Sequence, residues 1–358
     1  MPTYKYPHPF PLEGGTTLPE VCFDYRTYGT LTDEQDNVVW ICHALTGDAA
    51  AHEWWSDLVG PGKVLDTRRY FIVCANVLGS CYGSTGASSI NPRTGEVYGS
   101  NFPAVTIRDM VRGHRLLCEH LGIERIRLGI GGSLGGQQLL EWAVQQPELF
   151  EQIVPIATNA RHSAWGIAFN TAQQMALESD PTLHQPDHPE RGWRGLEAAR
   201  SIAMLSYRTY DSYENTQGEP DSDKLRDFRA ESYQRYQGQK LRERFDVFSY
   251  RSLSGAMNSH NLGRGRGGCD LALRSIRART LVIGIRSDLL FPPSEQVFLA
   301  SHIPEARLEI IESSYGHDGF LVEGKRLTEL LNSFLYDAPL PVRQERFVRA
   351  GLPGSELF

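Results

Sequence analysis

A single serine stands among glycines in the segment GGSLGG. Gly131, Ser133 and Gly135 match the pattern G-x-S-x-G, in which a sharp turn from a strand into a helix holds a serine out as a nucleophile. An apolar run at 126–130 precedes the motif, and a helical pattern at 137–145 follows it. The spacing and its context therefore predict a serine nucleophile at residue 133.

Two other interpretations use the same glycines. A dinucleotide-binding fingerprint, G-x-G-x-x-G, starts correctly at Gly129 and Gly131, but its third glycine is replaced by Leu134. A glycine-rich turn whose serine only caps the next helix is compatible with the motif taken alone. The partners of the serine must therefore decide between the interpretations.

A nucleophilic serine at such a turn needs a histidine base and a carboxylate that orients it, and both follow the serine in the order acid, then histidine. Asp288 comes just after the apolar run 279–285, and His317 lies in a glycine-flanked loop after the run 307–313. Since parallel strands end at one edge of a sheet, both side chains are expected there. We predict a catalytic triad of Ser133, Asp288 and His317.

Acyl transfer through a serine also needs two N–H donors for the oxyanion of the tetrahedral intermediate. The N–H of Leu134, which follows the nucleophile, is one candidate. The other should come from the loop after an early strand, where the segment VVWICHALTGDA favours the N–H of Leu45. His43 in the same segment resembles a catalytic base, but we expect it to serve the structure.

The elements that must position these residues form an α/β pattern. Short apolar runs are continuous rather than alternating, as in parallel strands covered on both faces. They lie at residues 38–44, 70–77, 125–130, 152–158, 279–285 and 307–313. Helical patterns separate several of them, which predicts a doubly wound, mostly parallel sheet.

The strand pattern is interrupted between residues 161 and 275. This stretch is polar, shows helical patterns at 196–207 and 224–240, and contains no strand pattern. We predict an α/β core formed by residues 1–160 and 276–358. Residues 161–275 are then a helical lid insertion over the end of the sheet.

Composition excludes several classes of function. A formal net charge of −7 argues against nucleic-acid binding. The six cysteines form no C-x-x-C pair, so no zinc site is expected. The first residues, MPTYKYPHPF, do not resemble a signal peptide, and no apolar run is long enough to span a membrane. We therefore expect a cytoplasmic protein without a metal.

Beyond the serine motif, the sequence resembles the homoserine O-acetyltransferases, a family of the α/β-hydrolase superfamily. The resemblance extends between residues 8 and 335 and rests on several blocks. They include CHALTGDA, NVLGSCYGSTGASSINPRTGEVYGSNFPAVTIRDMV, ATNARHSAWGIAFN, AARSIAMLSYRTY, SHNLGRGRGG and GHDGF. The second and third of these are far more specific than the serine motif.

The resemblance implies a double displacement in methionine biosynthesis. Ser133 takes an acetyl group from acetyl-CoA with His317 as base and Asp288 as its support, and the γ-hydroxyl of L-homoserine then attacks the acyl-serine. Acetyl-CoA is a co-substrate, and no bound cofactor is implied. The resemblance also implies a homodimer paired through the lid insertion.

An amino-acid acceptor brings a carboxylate and an ammonium, and both need partners in a dry site. Arg200 and Tyr207 are seven residues apart on a predicted helix and so share one face. Their position in a family block favours Arg200 as the clamp for the carboxylate. Asp318, next to His317, is the candidate partner of the ammonium.

Three alternatives remain open on the sequence alone. The same triad in an esterase or deacetylase would pass the acyl group to water. A close relative would use succinyl-CoA as donor or serine as acceptor. A protein of another class would keep the fold as a catalytically inactive scaffold.

Overall fold

One eight-stranded sheet forms the frame of the molecule, and the computed structural model describes residues 2–337. The strand order is β1-β4-β6-β5-β7-β8-β9-β10, and β2 pairs with β3 in a separate small ribbon. The strands are β1 (Thr3–Tyr6), β2 (Phe10–Pro11), β3 (Thr17–Leu18), β4 (Val21–Tyr28), β5 (Val38–Cys42), β6 (Phe71–Ala75), β7 (Ile126–Gly132), β8 (Phe150–Ile156), β9 (Arg279–Ile285) and β10 (Arg307–Ile311).

The strands from β6 across to β10 are parallel, and they are the apolar runs that the sequence predicts as strands. Every residue of β5 is buried, because helices cover both faces of the sheet. Strand β1 at one edge of the sheet and its neighbour β4 are antiparallel and were not predicted. In β4, buried Val21, Phe23 and Tyr25 alternate with half-buried neighbours, which is the pattern of a less fully covered strand.

Helices occupy the connections between the strands. They are α1 (Ala51–Trp54), α2 (Ile107–His120), α3 (Leu134–Gln145), α4 (Ala164–Glu178), α5 (Trp193–Tyr207), α6 (Tyr210–Gln217), α7 (Arg229–Arg242), α8 (Val247–Asn258), α9 (Cys269–Arg274), α10 (Pro293–His302), α11 (Gly319–Val322) and α12 (Gly324–Tyr336). One face of the sheet packs against α2, α3, α9 and α10, and the other packs against α1 and α12. This arrangement is the predicted doubly wound core.

The stretch 161–275 contains helices α4 to α9, and in the part of the chain described here its β pairing is limited to a bridge between Arg161 and Asn261. Leu196 and Tyr250 of this stretch share a buried cluster with Leu45 and Phe291 of the core, so its helices pack over the end of the sheet. The exact boundaries of a lid remain a prediction. Residue 1 and residues 338–358 of the predicted core lie outside the described residues.

The helix predicted over residues 224–240 begins later, at Arg229. Asp227 has a φ of 61°, a left-handed conformation that a helix cannot continue through. Glu231 accepts a hydrogen bond from the Phe228 N–H at 3.0 Å and so caps the helix at that point. The polar sequence before Arg229 therefore forms a turn.

Two further properties concern the environment of the chain. All six cysteines are free thiols, and Cys42 and Cys74 are buried in the central strands. Within residues 2–337, none of the helices has the length and apolarity needed to cross a membrane.

Candidate active site

The serine motif forms a strained turn between β7 and α3. Ser133 has φ 57° and ψ −123°, a conformation that costs on the order of 1–3 kcal/mol and that surrounding contacts must hold. A Cβ atom on Gly135 would overlap the Cys42 carbonyl oxygen, and one on Gly131 would lie 2.6 Å from the Gly135 backbone. The two glycines are therefore required by the close approach of the backbone, as the motif predicts.

Asp288 and His317 are in direct contact. His317 Nδ1 lies 2.7 Å from Asp288 Oδ2, and both side chains are buried. Asp288 Oδ1 accepts hydrogen bonds from the Leu290 and Phe291 N–H groups, each at 2.8 Å. The carboxylate is thus fixed by donors on both oxygens and can orient the imidazole.

The environment of His317 favours its protonated form. Burial alone would lower the pKa of the imidazole, but the charge and hydrogen bond of Asp288 outweigh burial, and Asp318 adds to them. The pKa of His317 consequently lies above its ordinary value. A base of this kind accepts a proton readily from a hydroxyl group during the reaction.

The loop that carries His317 folds over the serine turn. The His317 ring lies edge-on to Phe320, with ring centroids 5.4 Å apart. The Phe320 ring packs against Gly132 so closely that a Cβ atom there would lie 2.5 Å from it. The Trp55 Nε1–H also donates to the Phe320 carbonyl oxygen at 2.9 Å. Residues far apart in the chain are thereby brought to one side of the turn.

The two predicted oxyanion donors are buried and free of protein acceptors. Leu134 is the first residue of α3, where a helix leaves its N–H groups unpaired and carries a positive partial charge. Among residues 2–337, neither the Leu45 N–H nor the Leu134 N–H donates a hydrogen bond to a protein atom. Both groups therefore remain available to a developing oxyanion.

The residues predicted to bind the acceptor approach the same histidine. The Arg200 guanidinium lies over the Tyr207 ring, 5.4 Å from its centroid, and that ring is 5.7 Å from the ring of His317. Within the described chain, Arg200 makes no hydrogen bond or ion pair with a protein acceptor. Its charge therefore has no structural ion-pair partner, although it lies against the Tyr207 ring that packs on His317.

Asp318 has a partner that the sequence analysis missed. Arg208, directly after Tyr207, places its Nε 2.9 Å from Asp318 Oδ2. The contact is an ion pair rather than an aligned hydrogen bond, because within the described residues the buried Arg208 Nε–H has no acceptor in line with it. Burial raises the pKa of Asp318 above its ordinary value, and the charges of Arg208 and Arg200 oppose that effect.

Tyr213 on α6 was also missed. Its hydroxyl group is buried and has no hydrogen-bond partner in the described part of the chain. Burial raises the pKa of Tyr213 to about 12, Tyr233 adds to this increase, and the charges of Arg208 and Arg200 oppose it. Nothing in the sequence marks Tyr213, whereas Arg208 could have been found from its place in the block SYRTY. In residues 2–337, no three His, Cys, Asp or Glu side chains form a metal-binding group.

Comparison with known proteins identifies the family. A family model for the α/β-hydrolase fold matches residues 37–324. A homoserine O-acetyltransferase of Trichormus variabilis is 48% identical over 338 residues, which is 92% of this chain and 92% of the relative. The chain belongs to the homoserine O-acetyltransferase family. The resemblance and the fold predicted from the sequence are thus confirmed.

Solved structures show what the family shares with other proteins. The homoserine O-acetyltransferase from Bacillus anthracis superimposes with a TM-score of 0.84 at 26% identity, covering 95% of this chain and 98% of that one. Esterase E22 gives a TM-score of 0.85 at 25% identity, covering 93% and 99%. Because members of the family and an esterase have the same architecture, the fold alone does not choose between an amino acid and water as the acyl acceptor.

Proposed function

We propose that this protein transfers the acetyl group of acetyl-CoA to the γ-hydroxyl of L-homoserine, a step of methionine biosynthesis. The observation that carries the proposal is the 48% identity to a homoserine O-acetyltransferase along 92% of both chains. The contact between Asp288 and His317 and the strained Ser133 turn supply the chemistry for that reaction.

The first half of the reaction acylates Ser133. The serine Oγ attacks the thioester carbonyl carbon while His317 Nε2 takes the hydroxyl proton. The N–H groups of Leu45 and Leu134 bind the oxyanion of the tetrahedral intermediate. The intermediate then collapses, the C–S bond breaks, and the CoA thiolate leaves with the proton from His317.

The second half transfers the acetyl group to the acceptor. The γ-hydroxyl of homoserine gives its proton to His317 and attacks the acetyl-serine carbonyl carbon. Collapse of the second intermediate releases O-acetylhomoserine and returns the proton to Ser133 Oγ. Asp288 stays ionised through both halves and stabilises the imidazolium.

Arg200 and Asp318 select a zwitterionic acceptor in this proposal. Arg200 binds the carboxylate, which suits a guanidinium free of protein acceptors. Asp318 binds the ammonium and shares its charge with Arg208. Tyr207 packs between Arg200 and His317 and completes the surface that holds the acceptor hydroxyl near the base.

We also infer that the protein acts in the cytoplasm as a homodimer paired through helices of the stretch 161–275. Six free cysteines fit a reducing compartment. Trp165, Met175, Leu205 and Tyr236 are large side chains of this stretch that stand more than half exposed. Aromatic residues and methionine are enriched where protein surfaces meet.

Rapid mixing with acetyl-CoA in the absence of acceptor tests the first half. We expect about one CoA released per subunit in a burst and an acetyl group on Ser133 in the peptide mass spectrum. Ser133→Ala should abolish both. Ser249→Ala is the matched control, because Ser249 is equally buried and its hydroxyl has no partner in the described chain. Acetylation of Ser133→Ala at another residue would contradict the proposal.

The choice of substrates is tested by pairing acetyl-CoA or succinyl-CoA with homoserine, serine or no acceptor. We expect the highest kcat/KM for acetyl-CoA with homoserine. Acetate release that is independent of the acceptor and as fast as transfer would make the protein an esterase, the activity named for its structural neighbour E22.

A further inference from the structure

His43 directly follows β5. It holds the peptide group between Ala44 and Leu45, whose N–H is one of the predicted oxyanion donors. Its Nε2 accepts a hydrogen bond from the Val77 N–H at 3.1 Å, so the proton of the neutral ring is on Nδ1. Nδ1 donates that proton to the Ala44 carbonyl oxygen at 2.8 Å. Because C=O and N–H point in opposite directions in a trans peptide, this bond turns the Leu45 N–H away from His43.

Gln138 connects the backbone of that loop to the start of α3. Its Nε2 lies 3.1 Å from the His43 carbonyl oxygen and 3.2 Å from the Leu134 carbonyl oxygen. An amide nitrogen has two hydrogens, so it can donate to both carbonyls. The first carbonyl belongs to His43, two residues before Leu45. The second belongs to Leu134, whose own N–H group is the other predicted donor. A single buried side chain thus ties together the two halves of the oxyanion hole.

His114 fixes which way the Gln138 amide points. Its Nε2 lies 2.9 Å from Gln138 Oε1 and must donate, because an amide oxygen only accepts. The His114 ring is stacked on Trp142 with centroids 5.4 Å apart and meets Trp40 edge-on. Burial lowers the pKa of His114 to about 4, so the ring is neutral at physiological pH. The amide nitrogen is therefore held towards the two carbonyls.

We propose that Gln138 is a positioning residue that sets the spacing between the Leu45 and Leu134 N–H groups, with His114 holding its orientation. The inference rests on the proposed function, since it takes these two N–H groups as the oxyanion donors. Gln138 itself does not contact the reacting atoms. Its effect is strongest where charge develops on the carbonyl oxygen, so it governs the rate of acylation more than the binding of acetyl-CoA.

Gln138→Met tests the inference, because methionine has a similar shape and no N–H. Acetyl-enzyme formed with carbonyl-labelled ¹³C-acetyl-CoA gives an infrared band whose frequency falls as hydrogen bonds to the carbonyl strengthen. We expect a higher and broader band in Gln138→Met than in wild type. Acylation should slow about 10- to 100-fold, less than the roughly 10²- to 10³-fold loss caused by deleting an oxyanion donor. The KM for acetyl-CoA should stay within about twofold, as expected for an interaction that forms mainly in the transition state.

Gln137→Met is the matched control. Gln137 is equally buried on the same helix, but its Nε2 donates to Asn159 Oδ1 at 3.0 Å instead of to the oxyanion loop. We expect Gln137→Met to keep the wild-type band. A second variant, His114→Phe, keeps a ring against the tryptophans, removes the donor to Gln138, and should shift the band in the same direction as Gln138→Met.

The outcomes separate this inference from the proposed function. A wild-type band in folded Gln138→Met overturns the role of Gln138. If that variant does not fold, a wild-type band in His114→Phe overturns it instead. If the wild-type protein itself forms no acetyl-Ser133, the proposed function fails, and the inference fails with it.

Discussion

At the scale of single residues, the candidate site depends on side chains that are fixed before any substrate arrives. Both oxygens of Asp288 are occupied, one by His317 and one by two backbone N–H groups. Ser133 is held in a conformation that serine rarely adopts. Such preorganisation places most of the cost of ordering the site in the folding of the protein rather than in the reaction.

Asp288→Asn should slow both halves of the reaction by a similar factor, because His317 acts as the base in each. An amide next to Nδ1 favours the wrong tautomer of the imidazole, a change that costs on the order of 10⁴-fold in a serine protease. The CoA burst and the homoserine-dependent turnover should be measured separately. Slowing of only one half-reaction would show that Asp288 is not the carboxylate of the triad.

The pH profile provides an independent check on the same residue. The raised pKa of His317 means that kcat/KM falls as the pH drops through a value above 6.5, where the imidazole becomes protonated and no longer acts as a base. Asp288→Asn removes the charge that raises this pKa, so the acidic limb should move to lower pH. An unchanged limb would indicate that another group is titrating.

Arg200→Ala should impair acceptor recognition and leave acylation intact. Loss of one partner of a charged hydrogen-bonded pair that is desolvated in the complex costs on the order of 2–5 kcal/mol, so the kcat/KM for homoserine should fall by at least roughly 30-fold. The acetyl-CoA burst should change little, because the thioester has no charge for Arg200 to bind. Arg200→Lys is the control, because lysine keeps the positive charge but cannot bind a carboxylate through two parallel N–H groups. A lost burst with unchanged homoserine dependence would assign Arg200 to the CoA side.

At the scale of elements, α5 and the residue after it bring two cations to the site. Arg200 has no protein acceptor in the described chain, whereas Arg208 is paired with Asp318. The two arginines therefore have different tasks, although both stand near the same carboxylate. In the proposed site, Arg200 offers its free charge to a ligand, whereas the charge of Arg208 lowers the pKa of Asp318 against the effect of burial.

Arg208→Met should make homoserine binding more sensitive to acid. Arg208 lowers the pKa of Asp318 against the effect of burial, so its loss should raise that pKa further. Only the ionised carboxylate binds an ammonium strongly, and the KM for homoserine should then begin to rise at a higher pH than in wild type. His317, Asp288, Tyr207, Tyr213 and Arg200 are the other ionisable groups near Asp318, and all of them remain in the variant. A KM profile that does not move would show that Arg208 only supports the fold.

The elements also show which parts of the structure could be predicted from the sequence alone. Continuous apolar runs predicted the parallel strands because burial on both faces leaves an unambiguous pattern. Strands β1 to β3 escaped prediction because each has four residues or fewer, and β4 escaped it because its buried residues alternate with half-buried ones instead of forming a continuous apolar run. Asp288 and His317 were predictable because each follows a strand. Gln138 was not, because two of its partners are backbone carbonyls, which leave no mark on a sequence, and the third is His114, 24 residues away along the chain.

At the scale of the whole molecule, the chain enters the stretch 161–275 after β8 and returns to the sheet at β9. The exposed Trp165, Met175, Leu205 and Tyr236 all lie on that stretch. If it pairs two subunits, light scattering at micromolar concentration should give the mass of a dimer. Met175→Asp with Leu205→Asp should shift the mass towards a monomer, whereas Ile90→Asp, at a residue that is 65% exposed and lies outside the stretch, should not. A wild-type monomer would contradict the proposed assembly.

The proposed triad and most of the proposed acceptor-binding residues come from different segments of the chain. The serine, aspartate and histidine are encoded on either side of the stretch 161–275, while Arg200, Tyr207 and Arg208 are encoded inside it. Under the proposed roles, recombination at the two junctions would replace Arg200, Tyr207 and Arg208 and so change the contacts to the acceptor carboxylate, while the triad and Asp318 would stay in place.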